Sequence, residues 1–75
     1  MGTSTQPEPM EVVVNGERKS VPSGLTVTGL LNVLDVPLDR VAVELNKSIV
    51  RKRNWEETYV PSGSQIEIVQ FVGGG

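Results

Sequence analysis

Cysteine and histidine are both absent from this sequence. Without cysteine the chain can form neither a disulfide framework nor a thiolate metal site, and this composition is consistent with a reducing cytoplasm. Without histidine it lacks the commonest general base and metal ligand. We therefore expect a cytoplasmic protein with no catalytic residues, no metal and no bound cofactor of its own.

Basic charge and long apolar segments are scarce as well. Seven Lys and Arg residues stand against nine Asp and Glu residues, which gives a formal net charge of -2. Nucleic acids and anionic membranes bind basic surfaces, so neither is an expected partner. No apolar run approaches the roughly 20 residues of a membrane span, and the N-terminus lacks the pattern of a signal peptide. The expected partners are proteins.

The length of 75 residues supports one small domain. Residues 1–9 are polar, contain two prolines and show no apolar period, so we interpret them as a disordered leader or an expression remnant. The domain is predicted over residues 10–72, followed by a flexible glycine tail at residues 73–75.

The domain begins with a hairpin pattern and continues with a helical one. Alternating apolar residues run from Met10 to Val14, and Asn15-Gly16 then predicts a tight type I′ turn into a second strand. Thr26 offers an N-cap oxygen to an amphipathic helix whose apolar residues are Val27, Leu30, Leu31 and Leu34. Gly29 stands where a capping box would place glutamate and costs about 1 kcal/mol relative to alanine, so packing must hold this helix.

Three more strands are predicted in the second half of the chain. They cover Val41 to Leu45, Ile49-Val50 and Gln65 to Val72, with a loop or short helical turn between residues 51 and 60. The economical arrangement is an α+β fold, a mixed sheet with one main helix packed across it. With the first and last strands central and parallel, this is the β-grasp, or ubiquitin-like, layout.

The last strand is apolar on both faces. If Ile66 and Ile68 face the helix, Val69 and Phe71 fall on the opposite face, where a simple α+β domain would be polar. We interpret Val69 and Phe71 as a partner-docking patch. A locally buried Phe71 is the alternative.

Directly after that strand come Gly73, Gly74 and Gly75. Glycines at a terminus are ordinarily a flexible end or a cloning scar. The functional alternative is that a tail without side chains, about 10 Å long when extended, enters a narrow slot in a partner and delivers the Gly75 carboxylate. Adenylation by a partner that uses ATP would activate this carboxylate, and sulfide or a persulfide would displace AMP to give a thiocarboxylate.

Other candidate sites are weaker. Adjacent Glu56 and Glu57 would point in different directions, so a solvated charge cluster is favoured over an acid pair. The basic run 51–53 is interpreted as solvated rather than as a docking site for an acidic partner. Trp55 is predicted to pack over the edge of the core, with partner contact as its alternative.

From residue 10 to residue 75 the chain resembles the thiamine-biosynthesis sulfur carriers, the ThiS family, which are β-grasp proteins related to ubiquitin. The residues that carry the resemblance are Asn15-Gly16, Thr26-Val27, Leu30-Leu31, Val43 to Asn46, Ile49-Val50, Arg53, Trp55, Gly63, Ile66 to Val69 and Val72 to Gly75. Gly29 and Ser64 depart from the family pattern, which often has Glu and Asp there. Neither departure touches the proposed chemistry.

The resemblance implies a function and its partners. A ThiF-like enzyme would adenylate the terminal Gly75, a persulfide donor would supply sulfur, and a ThiG-like thiazole synthase would accept it. Gly73 and Gly74 would be threaded into the partner. Three other functions stay open, namely a small subunit of molybdopterin synthase (MoaD-like), a ubiquitin-like modifier that joins target lysines, and a non-covalent adaptor.

Overall fold

The first half of the protein forms a hairpin that leads to a helix. The computed structural model describes residues 8–71. Strand β1 spans Pro9–Val14 and pairs antiparallel with β2, Glu17–Pro22. Asn15 and Gly16 have φ values of 49° and 84°, as the type I′ turn requires. The predicted hairpin is confirmed.

Helix α1 spans Val27–Val33 and begins at the predicted cap. The hydroxyl of Thr26 accepts a hydrogen bond from the backbone N–H of Gly29 at 3.2 Å. A Cβ at Gly29 would lie 3.2 Å from Leu25 Cδ2, which is tighter than ordinary contact. A glutamate in this place would therefore require the Leu25 side chain to shift by a few tenths of an ångström.

The second half adds three strands and a single 3-10 turn. Strand β3 spans Val41–Leu45, and strand β4 spans Ser48–Val50. The 3-10 turn Lys52–Asn54 follows, and strand β5 spans Gln65–Gln70. The turn lies in the segment predicted as a loop or short helical turn. Within residues 8–71, no helix is long and apolar enough to cross a membrane.

The start of β1 and the end of β5 differ slightly from the prediction. β1 includes Pro9, which the sequence analysis assigns to the leader. Pro9 lies opposite Pro22 at the first position of the strand, where proline is tolerated. β5 ends at Gln70 rather than at Val72, since its ladder with β3 ends at the pair of Val41 with Gln70. Val72, residues 1–7 of the predicted leader and the glycine tail lie outside the described residues.

The five strands form one mixed sheet in the order β2-β1-β5-β3-β4, in which β1 and β5 are parallel. All other neighbours are antiparallel. The first and last strands therefore lie side by side inside the sheet, as the β-grasp layout predicts. Helix α1 covers one face, and the side chains buried most completely between them are Leu30, Leu31, Ile66, Val12, Val27 and Val43. Each of these contributes roughly 1.5–3 kcal/mol relative to an exposed position.

Trp55 closes this aliphatic core at one side. Its side chain is 3% exposed, and the indole N–H donates a hydrogen bond to the carbonyl of Val50 at 2.8 Å. The interpretation of Trp55 as a packing residue is confirmed. This contact links the segment after β4 to the short edge strand itself.

Candidate functional site

The two faces of β5 differ in burial, as predicted. Ile66 is 1% exposed, and Ile68 is half-buried against the core. On the other face Val69 and Phe71 are 56% and 58% exposed. The predicted exposure of both side chains is confirmed, and the alternative of a locally buried Phe71 is wrong.

Strand register defines what surrounds Val69. We use the term outer face for the sheet surface opposite α1, which carries Ala42, Glu44, Ile49, Glu67 and Val69. Val69 lies opposite Ala42, Glu67 lies opposite Glu44, and Glu44 lies opposite Ile49 on the edge strand. Ile49 is 73% exposed. The outer face therefore combines apolar side chains with a pair of carboxylates.

Phe71 borders a depression at the end of β5. The depression has a volume of about 480 Å³ and is also lined by Pro37, Asp39, Arg40 and Gln70. The backbone N–H of Phe71 donates to the carbonyl of Arg40 at 2.8 Å, which holds Phe71 next to the start of β3. The last described residue of the chain therefore lies beside a concave surface.

The side chain of Asn15 holds the same end of β5, which sequence reasoning missed. Its amide oxygen accepts from the backbone N–H of Ile68 at 2.7 Å, and its amide nitrogen donates to the Ile68 carbonyl at 3.1 Å. Because β1 ends at Val14, the Asn15 amide makes the hydrogen bonds to Ile68 that the backbone of a further β1 residue would otherwise make. The second half of β5 is thereby tied to the first hairpin.

Asn46 does the same at the other end of β5. Its backbone N–H donates to the Gln65 carbonyl at 2.7 Å, and its side-chain oxygen accepts from the Gln65 N–H at 2.9 Å. Its amide nitrogen also donates to Ser64 Oγ at 3.3 Å, and that buried hydroxyl donates in turn to the Pro61 carbonyl at 2.6 Å. Ser64 thus has a structural role in the turn that leads into β5.

The remaining sequence candidates lie on the exposed surface. Glu56, Glu57 and the basic run 51–53 are exposed, and Lys52 forms an ion pair with Asp39 at 3.7 Å. Such exposed pairs contribute little to stability. Among residues 8–71, no cluster of three or more metal-ligating side chains could hold a metal ion. The predicted sulfur-carrying Gly75 and the threaded Gly73 and Gly74 lie outside the described residues.

The fold places the protein in the ubiquitin-like β-grasp class, with an exposed apolar face beside the end of its central strand. A sequence model of the ThiS family matches residues 8–75, and the chain therefore belongs to the ThiS family. The match includes the three glycines that follow the described part of the chain.

Individual relatives agree with this assignment. A thiazole synthase of Paramagnetospirillum magneticum is 42% identical over 66 residues, which is 88% of this chain and 20% of that protein. The chain thus spans a fifth of that relative's length. The sulfur carrier protein ThiS of Escherichia coli is 32% identical, with 88% of this chain and 100% of that protein covered.

A solved structure confirms the fold. The crystal structure of a thiamine biosynthesis protein (ThiS) from Geobacter metallireducens has a TM-score of 0.75 and is 36% identical in sequence. The superposition covers 88% of this chain and 100% of that chain.

Proposed function

We propose that this protein is a sulfur carrier for thiazole formation in thiamine biosynthesis, and that the Gly75 carboxylate is its working group. The observation that carries the proposal is the ThiS family match, which continues through the glycines to residue 75. The E. coli relative is a sulfur carrier, and the P. magneticum relative is a thiazole synthase. These two names support a sulfur-transfer role and a ThiG-like acceptor.

The proposed chemistry takes place on partner enzymes. In a ThiF-like enzyme the Gly75 carboxylate attacks the α-phosphorus of ATP and releases pyrophosphate, which gives an acyl-adenylate. Sulfide displaces AMP directly to give the thiocarboxylate. A persulfide donor instead gives an acyl disulfide, and a second thiol then reduces its S–S bond and releases the thiocarboxylate. The carrier contributes docking, reach and its terminal carboxylate.

Conversion of the terminal carboxylate is the direct test of this function. After incubation with a ThiF-like enzyme, ATP and a sulfur donor, intact mass should show one oxygen replaced by sulfur. Fragmentation should place the change in the C-terminal peptide, and omission of ATP should prevent it. Lysine-linked adducts without a thiocarboxylate would contradict the proposal in favour of a modifier.

The acceptor separates the two carrier functions. The thiocarboxylate form should support thiazole formation by a ThiG-like synthase. Sulfur transfer to a molybdopterin precursor and none to thiazole would contradict the thiamine assignment. The sequence segment from Arg53 to Trp55 favours the thiamine branch by resemblance.

The exposed residues Val69 and Phe71 are proposed to dock the activating enzyme. The double change Val69→Ser, Phe71→Ser should raise the KM for the carrier in ATP-dependent activation, because it removes apolar area that the partner would cover. Both side chains are more than half exposed, so the free energy of unfolding should change by only about 0.5 kcal/mol for each.

A matched control uses exposed apolar residues elsewhere. Val33 and Tyr59 are 48% and 66% exposed and lie outside β5. The change Val33→Ser, Tyr59→Ser should leave the KM unaltered. Unfolding of the Val69→Ser, Phe71→Ser variant, or an equal rise in KM for the control, would contradict docking through β5.

A further inference from the structure

Two carboxylates stand side by side on the outer face. Glu44 on β3 lies directly opposite Glu67 on β5, and both side chains are exposed. Directly opposed residues in an antiparallel pair have Cβ atoms about 4.5–5.5 Å apart, and like charges in this arrangement destabilise the sheet. The register therefore places two like charges next to each other on the surface that carries Val69.

No ion pair among the described residues involves Glu44 or Glu67. Within residues 8–71, the ion pairs join Lys19 to Glu17 and Lys52 to Asp39, and neither Glu44 nor Glu67 has a cationic partner. Arg18 lies opposite Val13 on β2, and β1 separates that strand from β5. The negative charge is thus available to a ligand approaching the outer face.

Apolar side chains lie on two sides of the acidic pair. Val69 and Ala42 form the next cross-strand pair along β5 and β3, and Ile49 lies beside Glu44 on β4. A partner that covers Val69 also removes water from the carboxylates. Burying two uncompensated carboxylates would cost more than the apolar contact gains, unless the partner brings a positive charge.

We propose that Glu44 and Glu67 receive a basic side chain of the protein partner that covers Val69, an arginine in the simplest case. One guanidinium can donate to two neighbouring carboxylates and lie flat between the apolar side chains. The inference rests on the proposed function, since the partner is the ThiF-like adenylating enzyme. The inference adds that the enzyme surface facing Glu44 and Glu67 is positively charged. The acidic pair then helps the enzyme to recognise the carrier.

Neutralising Glu44 and Glu67 should weaken binding to the ThiF-like enzyme without lowering the stability of the fold. The change Glu44→Gln, Glu67→Gln preserves side-chain shape, and the melting temperature should stay the same or rise because the like-charge repulsion disappears. The Kd for the purified ThiF-like enzyme, measured by titration calorimetry, should increase by about tenfold or more at low salt. Because salt screens the ionic contact, the ratio of the two Kd values should shrink as ionic strength increases.

Glu56→Gln, Glu57→Gln is the matched control, since it makes the same change in net charge at two exposed carboxylates outside the outer face. Its Kd should equal that of the wild type. An unchanged Kd for Glu44→Gln, Glu67→Gln, or an equal loss in the control, overturns the inference. If the wild type still forms the thiocarboxylate in that case, the proposed function stands without it. A wild type that neither binds the enzyme nor is converted overturns both.

Discussion

Deletion of Gly75 should abolish ATP-dependent activation and leave the melting temperature nearly unchanged. The deletion withdraws the terminal carboxylate by about 3.5 Å, which is a large displacement for in-line attack on a phosphate. The fold should be unaffected, because the buried core side chains of residues 8–71 lie between Met10 and Ile66. Pyrophosphate release measures activation, and calorimetry measures the melting temperature.

Two further variants act as controls for this deletion. Adding one alanine after Gly75 moves the carboxylate forward instead of back and should also prevent activation. Gly74→Ala keeps the length but brings a methyl group into the slot and disfavours positive φ, so activation should be reduced or lost. Activation and sulfur transfer by the Gly75 deletion at the rate of the wild type would show that the glycines are an ordinary flexible end.

Trp55→Ala should be the most destabilising of the changes considered. Removing a buried tryptophan side chain costs about 3–5 kcal/mol. A chain of 75 residues has a free energy of unfolding of about 4–11 kcal/mol in total. The variant should therefore be marginally stable or unfolded at 25 °C, as urea denaturation followed by circular dichroism will show.

Trp55→Phe separates the packing contribution of this residue from that of its hydrogen bond. It retains an aromatic ring in the core but removes the indole N–H that donates to the Val50 carbonyl. Trp55→Phe should lower the free energy of unfolding by less than Trp55→Ala does. The hydrogen bond itself accounts for about 1 kcal/mol. A cost below about 1 kcal/mol for Trp55→Ala would be incompatible with a core role and would favour the partner-contact alternative.

Local signals in the sequence were sufficient to predict most of the fold. The Asn15-Gly16 turn, the Thr26 cap and the alternation along β3 each depend on residues close together in the chain, and each is confirmed. The opposite faces of Ile66 and Val69 follow from the two-residue period of a strand. The end of β5 was predicted less well, since it depends on where β3 begins.

Features that depend on contacts between distant residues were not predicted. Asn15 and Ile68 are 53 positions apart, and nothing near Asn15 indicates which strand its amide reaches. The pairing of Glu44 with Glu67 likewise requires the register of β3 against β5, which the sequence does not specify. The candidate site was thus predicted through its apolar residues, whereas its acidic half became apparent only in the assembled sheet.

The asparagine amides also bear on self-association. An uncovered stretch of strand edge is a template for pairing with another chain, and unguarded edges lead to aggregation or domain swapping. At Ile68 the Asn15 side chain already occupies the backbone groups that β1 leaves uncovered, and Asn46 occupies those of Gln65. Another copy of the chain cannot add a strand to β5 at these points without displacing an amide, so the backbone of the central strand is protected beside the proposed docking surface.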